Sequence, residues 1–237
     1  MKIAILSDVH GNAVALDAVL DDVRRQTPDL IVHGGDLVFN GPQPAEVVDR
    51  VRELGWPGVV GNTDEMLWVG SEVAPPASRP LFDVLRSYAA DHLGPERIAW
   101  LRELPREWRH ERLLLVHATP ESLWQSPEAD APDDELAAPY RDLGADVVVY
   151  CHIHHPFVRR IGSLTIANSG SVGWPLDGDW RPSYLLVEDG HVAVRRVAYD
   201  LEREIRELTA ASFPSRSWLA AVHRNGRRTA PLALDPL

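Results

Sequence analysis

Five short apolar runs in this chain each stop at polar residues able to bind a cation. That repetition constrains the fold more than any other feature. The runs are residues 2–6, 30–32, 58–60, 113–116 and 147–150. The residues that follow are Asp8-Val9-His10, Gly35-Asp36, Gly61-Asn62-Thr63-Asp64, an isolated His117, and His152-Ile153-His154. Apolar runs of this length, bounded by turn residues, read as buried strands. Carboxylate, amide and imidazole donors would therefore collect along one rim of a sheet.

Between the first runs the pattern is helical. Val14, Ala15, Ala18, Val19 and Val23 share one face at the helical period, and Asn12 is a plausible N-cap for a helix over 12–25. A second strand over 30–34, a second helix over 44–54 and a third strand near 58–60 complete a β-α-β-α-β rhythm. This rhythm implies a mainly parallel sheet with helical crossovers, which binds ligands beyond its C-terminal strand ends. Residues 63–104 break it. They read as a helical insertion with stretches over 81–92 and 95–104, leaning over the site as a candidate lid. Strands over 112–117 and 146–152 then flank a helix over 133–143. Shorter strands follow over 157–161, 163–167, 183–188 and 191–199, with Asp189-Gly190 as a hairpin turn. The expected fold is α/β: a four-layer α-β-β-α sandwich of two mixed sheets. Residues 1–199 would form this domain, and 200–237 a C-terminal helical tail packing on the body.

Composition bounds the function. At 237 residues, 45% of them hydrophobic, one domain with a sizeable core is expected. No run approaches the ~18 apolar residues of a membrane span. Residues 1–6 enter a strand pattern without a leader signature, and the single cysteine, Cys151, cannot form an intramolecular disulfide. A cytoplasmic protein is expected. The net charge of −11 argues against a nucleic-acid partner. The Arg-rich stretch 224–228 reads as a solvated tail.

Seven oxygen and nitrogen donors are too many for one ion and suit two. Two divalent ions can clamp a phosphate and ionise the water that attacks it. Taken singly, the donors are weak signals: Asp8 and Asp36 could be turn residues, Asn62 a turn and His117 a core histidine. Their order and strand-end context carry the case.

In that order the residues resemble the calcineurin-like metallophosphoesterase superfamily, in its small bacterial and archaeal phosphodiesterase branch. The match runs D-x-H, G-D, G-N-x-[DE], H and G-x-H. It stands here as Asp8-Val9-His10, Gly35-Asp36, Gly61-Asn62-Thr63-Asp64, His117 and Cys151-His152-Ile153-His154. Residues Asn168-Ser169-Gly170-Ser171-Val172-Gly173 look like the N-P-G-S-V-G loop of the bacterial branch. The resemblance implies one metal on Asp8, His10, Asp36 and His154, and another on Asp36, Asn62, His117 and His152, with Asp36 bridging. It implies attack of a metal-bridging hydroxide on phosphorus. This donor set suits Mn²⁺ first, with Fe, Zn²⁺ or Ni²⁺ as alternatives. Asp36 and Asn62 would be central to catalysis. Asp64 would steady a ligand histidine or cap the next helix.

The chain departs from the pattern where many relatives carry a histidine that protonates the leaving oxygen; here that position is Thr63. Loss of a general acid typically costs about 10²–10⁴-fold, so good leaving groups are favoured. His155 is a candidate substitute acid. Ser169 replaces proline, and Cys151 replaces glycine, with the ligands expected intact. Trp68, Trp100, Trp124, Trp174 and Trp180 are read as core packing or as nucleobase stacking. Asn168 is a candidate hydrogen bonder at the site, and Arg181 a surface ion-pair former. The expected activity is hydrolysis of a small phosphodiester or phosphoanhydride, with a phosphomonoesterase or protein phosphatase as rival and a non-catalytic scaffold as the alternative of another class. A homodimer is the candidate assembly.

Overall fold

The computed structural model describes residues 1–229. Two mixed sheets pack face to face between helices. The first has four strands: β1 (Lys2–Leu6), β2 (Leu30–His33), β8 (Ser183–Glu188) and β9 (His191–Arg196), in the order β2-β1-β8-β9. The second has five: β3 (Glu107–His110), β4 (Leu113–Val116), β5 (Val147–Tyr150), β6 (Phe157–Ile161) and β7 (Leu164–Asn168), in the order β3-β4-β5-β7-β6. Strands β1 and β2 are parallel, as are β4, β5 and β7, and the remaining pairs are antiparallel.

The period-two alternation of a strand explains the layers. Ile3 and Ile5 of β1 join Val32, Leu185 and Val187 in meeting Leu113, Leu115, Val147, Val149 and Ala167 between the sheets. Ala4 and Leu6, on the opposite face of β1, pack against helices α1 (Ala13–Gln26) and α2 (Pro44–Glu53). In the second sheet Leu114, Val116, Val148, Tyr150 and Ile166 pack outward against Leu136 and Tyr140, which belong to α5 (Asp133–Ala137) and the short 3-10 turn that continues it. The four-layer sandwich is thus built from apolar runs buried on both faces.

The expected third strand does not form a ladder. Residues 58–60 touch the first sheet through a single bridge from Gly58 to His33. Val60 N–H then turns to the Pro105 carbonyl, and Pro57 has no N–H to offer. Strand β3 was not expected, because Glu107-Trp108-Arg109-His110 is polar; it pairs at the sheet edge, where one face meets water. The helix expected over 133–143 is shorter, ending at Tyr140 with its 3-10 turn.

Two helices form the insertion. Helix α3 spans Asn62–Val69, and α4 spans Arg79–Arg102 with a break at Gly94, whose φ of 68° is left-handed. Pro95 follows, so the two expected helical stretches join across a kink. Leu85, Ala89, Leu93 and Leu101 of α4 enter the core beside α1 and α2. Helices α6 (Leu201–Ala210) and α7 (Arg216–Asn225) bury Leu208, Phe213, Trp218, Leu219 and Val222 in that same core. The last eight residues of the sequence lie outside the described ones. No helix among the described residues is long and apolar enough to cross a membrane.

One group under α6 is out of place. Glu204 is fully buried, and neither carboxylate oxygen has a hydrogen-bond partner among the described residues. Burial, aided by the charge of Glu207, raises its carboxyl from 4.5 to about 8. The folded state therefore holds this proton more tightly than the unfolded chain. Stability is greatest below pH 4.5 for this group and falls as pH rises to about 8, by at most about 1.4 kcal/mol per unit. We expect Glu204→Gln to remove that slope and to raise the urea midpoint at pH 8 while leaving it unchanged at pH 4.

Candidate metal centre

The loops after β1, β2, β4 and β5 converge where the two sheets meet. Backbone hydrogen bonds tie them together. Asp8 N–H donates to the Gly35 carbonyl at 3.0 Å, His10 N–H to Asp36 at 2.9 Å, and Cys151 N–H to His117 at 2.8 Å. The chain turns sharply to aim its side chains inward. Asp8, His10, Asp36, His152 and His154 all have φ between 51° and 69°. A non-glycine residue costs about 1–2 kcal/mol in this left-handed region, and such strain concentrates at functional sites. The sequence carries no sign of it. The i, i+2 spacing of Asp8 and His10 would place both on one side of a continuing strand, but here the spacing belongs to a coiled loop.

All seven expected donors come together. On one side, His154 Nε2 lies 3.1 Å from Asp8 Oδ1 and 3.2 Å from His10 Nε2, and His10 Nε2 lies 3.7 Å from Asp36 Oδ2. Ligand atoms of Asp8, His10, Asp36 and His154 all fall within 4.8 Å of one another, and all four residues are buried. On the other side, Asn62 Oδ1 lies 2.8 Å from both His117 Nε2 and His152 Nδ1, and His117 Nε2 lies 3.6 Å from Asp36 Oδ1. The Asp36 carboxylate stands between the groups.

The outer nitrogens fix the tautomers. His10 Nδ1 donates to the Val38 carbonyl at 3.1 Å, His154 Nδ1 to Trp174 at 2.6 Å, and His117 Nδ1 to Gly34 at 2.8 Å. A ring that carries its one proton on Nδ1 presents a lone pair on Nε2. The 3.2 Å approach of His10 to His154 sets lone pair against lone pair. The approach of His117 to Asn62 does the same with an amide oxygen. Asp8 Oδ1 accepts no hydrogen bond among the described residues. Acceptors that converge without a proton between them fit a cation.

Electrostatics agree. Burial pulls His10 and His152 down to about 3, helped by neighbouring His154 and His117 respectively, so both rings are neutral and able to ligate. Burial and the Asp8 charge push Asp36 up to about 7, against the Thr63 N–H, which donates to it at 2.9 Å. Buried carboxylates of this density need a compensating charge. A cluster of this chemistry fits divalent metal.

Supporting residues surround the donors. Asp64 accepts from the N–H groups of Asp36 (2.8 Å), Leu37 (3.0 Å), Val38 (3.3 Å) and Gly61 (3.0 Å). It thus clamps the Asp36 loop to the start of α3, with its bonds to backbone donors rather than to a histidine ring. Ser7 Oγ donates to Asp8 Oδ2 and lies 2.6 Å from Ser169 Oγ, so the serine that replaces proline helps to orient a donor. Asn168 Nδ2 donates to the Cys151 carbonyl at 2.7 Å and fixes the loop that carries His152. Arg181 pairs with Asp179 on the surface. The sequence reading gave Ser7 no role, and Trp174, read as core packing or nucleobase stacking, packs here with its ring edge-on to His10 and His154 at 5.6 and 5.5 Å.

A cavity of about 600 Å³ opens on the His152–Asn62 side. Its walls include Phe82 and Pro75 from the insertion, Trp124, Glu128, His155 and Arg228. Of the expected stacking tryptophans only Trp124 lines it. Trp68 and Trp100 pack on the core, and Trp180 lies against Tyr199. His155 Nε2 donates to the Leu176 carbonyl at 3.0 Å.

A model of the calcineurin-like phosphoesterase superfamily domain matches residues 1–189. The protein MJ0912 of Methanocaldococcus jannaschii is 29% identical, covering 92% of this chain and 95% of its own length. A metallophosphoesterase of Sphaerobacter thermophilus superposes with a TM-score of 0.81 at 27% identity, covering 95% of this chain and 99% of that one. A symmetrical bis(5'-nucleosyl)-tetraphosphatase of Methylococcus capsulatus is 33% identical over 57% of this chain, which spans about half of that enzyme (49%).

Gly61 tests the geometry. A Cβ there would collide with the Asp36 carboxylate and backbone. We expect Gly61→Ala to weaken Mn²⁺ binding by about 10–100-fold, the usual cost of disturbing residues that orient metal ligands, as read by calorimetric titration of metal-stripped protein.

Proposed function

We propose, for a chain that belongs to the calcineurin-like phosphoesterase superfamily, that it hydrolyses a small phosphodiester or phosphoanhydride at a two-metal centre with Asp36 as the bridging ligand. The observation that carries this reading is the position of the Asp36 carboxylate. One oxygen lies near His10 and the other near His117, at 3.7 and 3.6 Å. Asp8, His10 and His154 would complete one site; Asn62, His117 and His152 would complete the other. Mn²⁺ is the ion we assign first, because oxygen and imidazole donors suit it. Bound there, two divalent ions would acidify water and neutralise the phosphoryl oxygens.

The chain's own residues decide which substrate reacts. Asn62 and His152 line the cavity, so the phosphoryl group would enter from that side. Trp124 and Phe82 in the same cavity offer faces for an aryl group or a nucleobase. Thr63 is buried, and its hydroxyl donates to the Val38 carbonyl at 3.3 Å. A hydroxyl so engaged is a poor acid for a leaving oxygen. His155 donates its Nε2 proton to a carbonyl, so it would act as an acid only as imidazolium. A leaving group that departs as a stable anion is therefore favoured over an alkoxide. The name of the Methylococcus capsulatus relative, a nucleotide phosphoanhydride hydrolase, supports that class.

The test is hydrolysis of matched aryl phosphodiester and phosphomonoester by metal-stripped protein with and without Mn²⁺. We expect Mn²⁺-dependent diester turnover, with kcat/KM falling steeply as the leaving-group pKa rises. Asp36→Ala and Asn62→Ala should each reduce it by at least about 10²-fold, as expected when transition-state charge stabilisation is lost. Equal turnover of alkyl and aryl esters would refute the leaving-group argument.

A further inference from the structure

Among the described residues that line the cavity, Arg228 is the one with a permanent positive charge. It comes from the Arg-rich stretch that reads as a solvated tail, and it lies beyond the residues matched by the family model. Its two arginine neighbours point elsewhere. Arg224 pairs with Glu202 at 2.9 Å, and Arg227 lies against Gly178. Arg228 makes no ion pair or hydrogen bond among the described residues. Its guanidinium stacks 5.1 Å above the ring of Trp174, the same indole that packs edge-on against His10 and His154.

The backbone that carries Arg228 is held on both sides. Gly226 ends α7 with φ 59°, and its carbonyl accepts from Gly178 N–H at 2.7 Å. A Cβ at Gly226 would press on the Asp179 and Trp180 backbone. Beyond Arg228, the Thr229 carbonyl accepts from Trp218 Nε1 at 3.0 Å. Trp218 in turn meets Trp174 at 6.0 Å between ring centroids. A cation with no N–H donor bonded among the described residues, fixed between two anchors and stacked on an indole beside the histidine cluster, is placed for an anion.

We propose that Arg228 binds the phosphate on the leaving side of the scissile bond, and so selects phosphoanhydrides with at least one phosphate beyond the reacting one. This inference rests on the phosphoesterase reading above. The chemistry follows from the pair Thr63 and Arg228. With the Thr63 hydroxyl tied to a carbonyl, no proton reaches the leaving oxygen from that position. Water adds to phosphorus and gives its proton to solvent. The bridging P–O bond breaks, and its electron pair stays on the departing phosphate. A guanidinium cannot supply a proton near neutral pH, but it stabilises that charge through bidentate hydrogen bonds. An alkoxide would gain little from it, because an alkoxide needs the proton. Glu128 lines the same cavity and attracts Arg228. In a purely structural role this attraction and the Trp174 stack would be all that Arg228 provides.

The experiment compares Mn²⁺-loaded full-length protein with Arg228→Gln and Arg228→Lys on two probes. One is bis(p-nitrophenyl) phosphate, with no phosphate beyond the reacting one; the other is a dinucleoside tetraphosphate. We expect wild type to hydrolyse both. Arg228→Gln should lower kcat/KM on the tetraphosphate by about 10–100-fold, the scale of one charged hydrogen bond, and change aryl diester turnover by less than about 3-fold. Arg228→Lys should recover part of the loss, and salt should depress the tetraphosphate reaction less in Arg228→Gln than in wild type. An equal loss on both probes, or a lowered Mn²⁺ affinity, would assign Arg228 to supporting Trp174 and the histidines and overturn the inference. Unchanged tetraphosphate turnover in Arg228→Gln would also overturn it. So would wild type that cleaves the aryl diester but not the tetraphosphate, which leaves the phosphoesterase reading standing. Turnover of neither probe would defeat both readings.

Discussion

Lone pairs facing lone pairs are the constraint around which this molecule is arranged. The Nε2 atoms of His10 and His154 approach to 3.2 Å, and Asn62 Oδ1 sits 2.8 Å from two imidazole nitrogens. The rings of His10, His117 and His154 each commit the outer proton to a backbone carbonyl, so rotation cannot relieve their contacts. Such a cluster costs free energy in an apo protein, and that cost becomes affinity when cations enter. The carbonyls of Gly34, Val38 and Trp174 are therefore as much a part of the centre as the donors they orient.

Holding that cluster requires a rigid frame. Five of the seven donors sit in left-handed backbone conformations, and the Asp64 carboxylate gathers four N–H groups from two loops. Parallel strands buried on both faces supply the frame, because their ends cannot move without exposing the inter-sheet layer. The fully buried side chains of Ile5, Leu115, Val149 and Ala167 pin those ends from below. Strain at the rim is tolerated because the sheets beneath it are over-determined.

The helical tail serves more than packing. Its apolar side chains complete the core beside α1, and its end brings a guanidinium to the wall of the cavity. The insertion supplies the opposite kind of surface, aromatic and apolar, through Phe82 and Pro75. The tail and the insertion thus build the walls beside a donor cluster that the sheets position. Function in this fold is set by the site and its walls rather than by the sheets.

Most strands, the four layers and the seven side chains that converge were legible in the sequence because each follows from local pattern: short apolar runs, turn residues at their ends, and polar side chains in a fixed order. Elements that depend on partners were not. Strand β3 is too polar to announce itself and exists only because β4 offers an edge. The run at 58–60 reads as a strand but finds a single residue, His33, to pair with in the first sheet. The left-handed loops, the tautomers set by carbonyls, and the Ser169–Ser7–Asp8 relay bring together residues distant in the chain, which no spacing rule encodes. Arg228 is the sharpest case. By sequence it is one arginine in an exposed basic run, and only the packing of α7 on Trp174 turns it toward the cavity. Local pattern determined which groups this protein carries and which strand ends bear them; long-range packing decided which of those groups meet, because contact between residues far apart in the chain is a property of the folded surface alone.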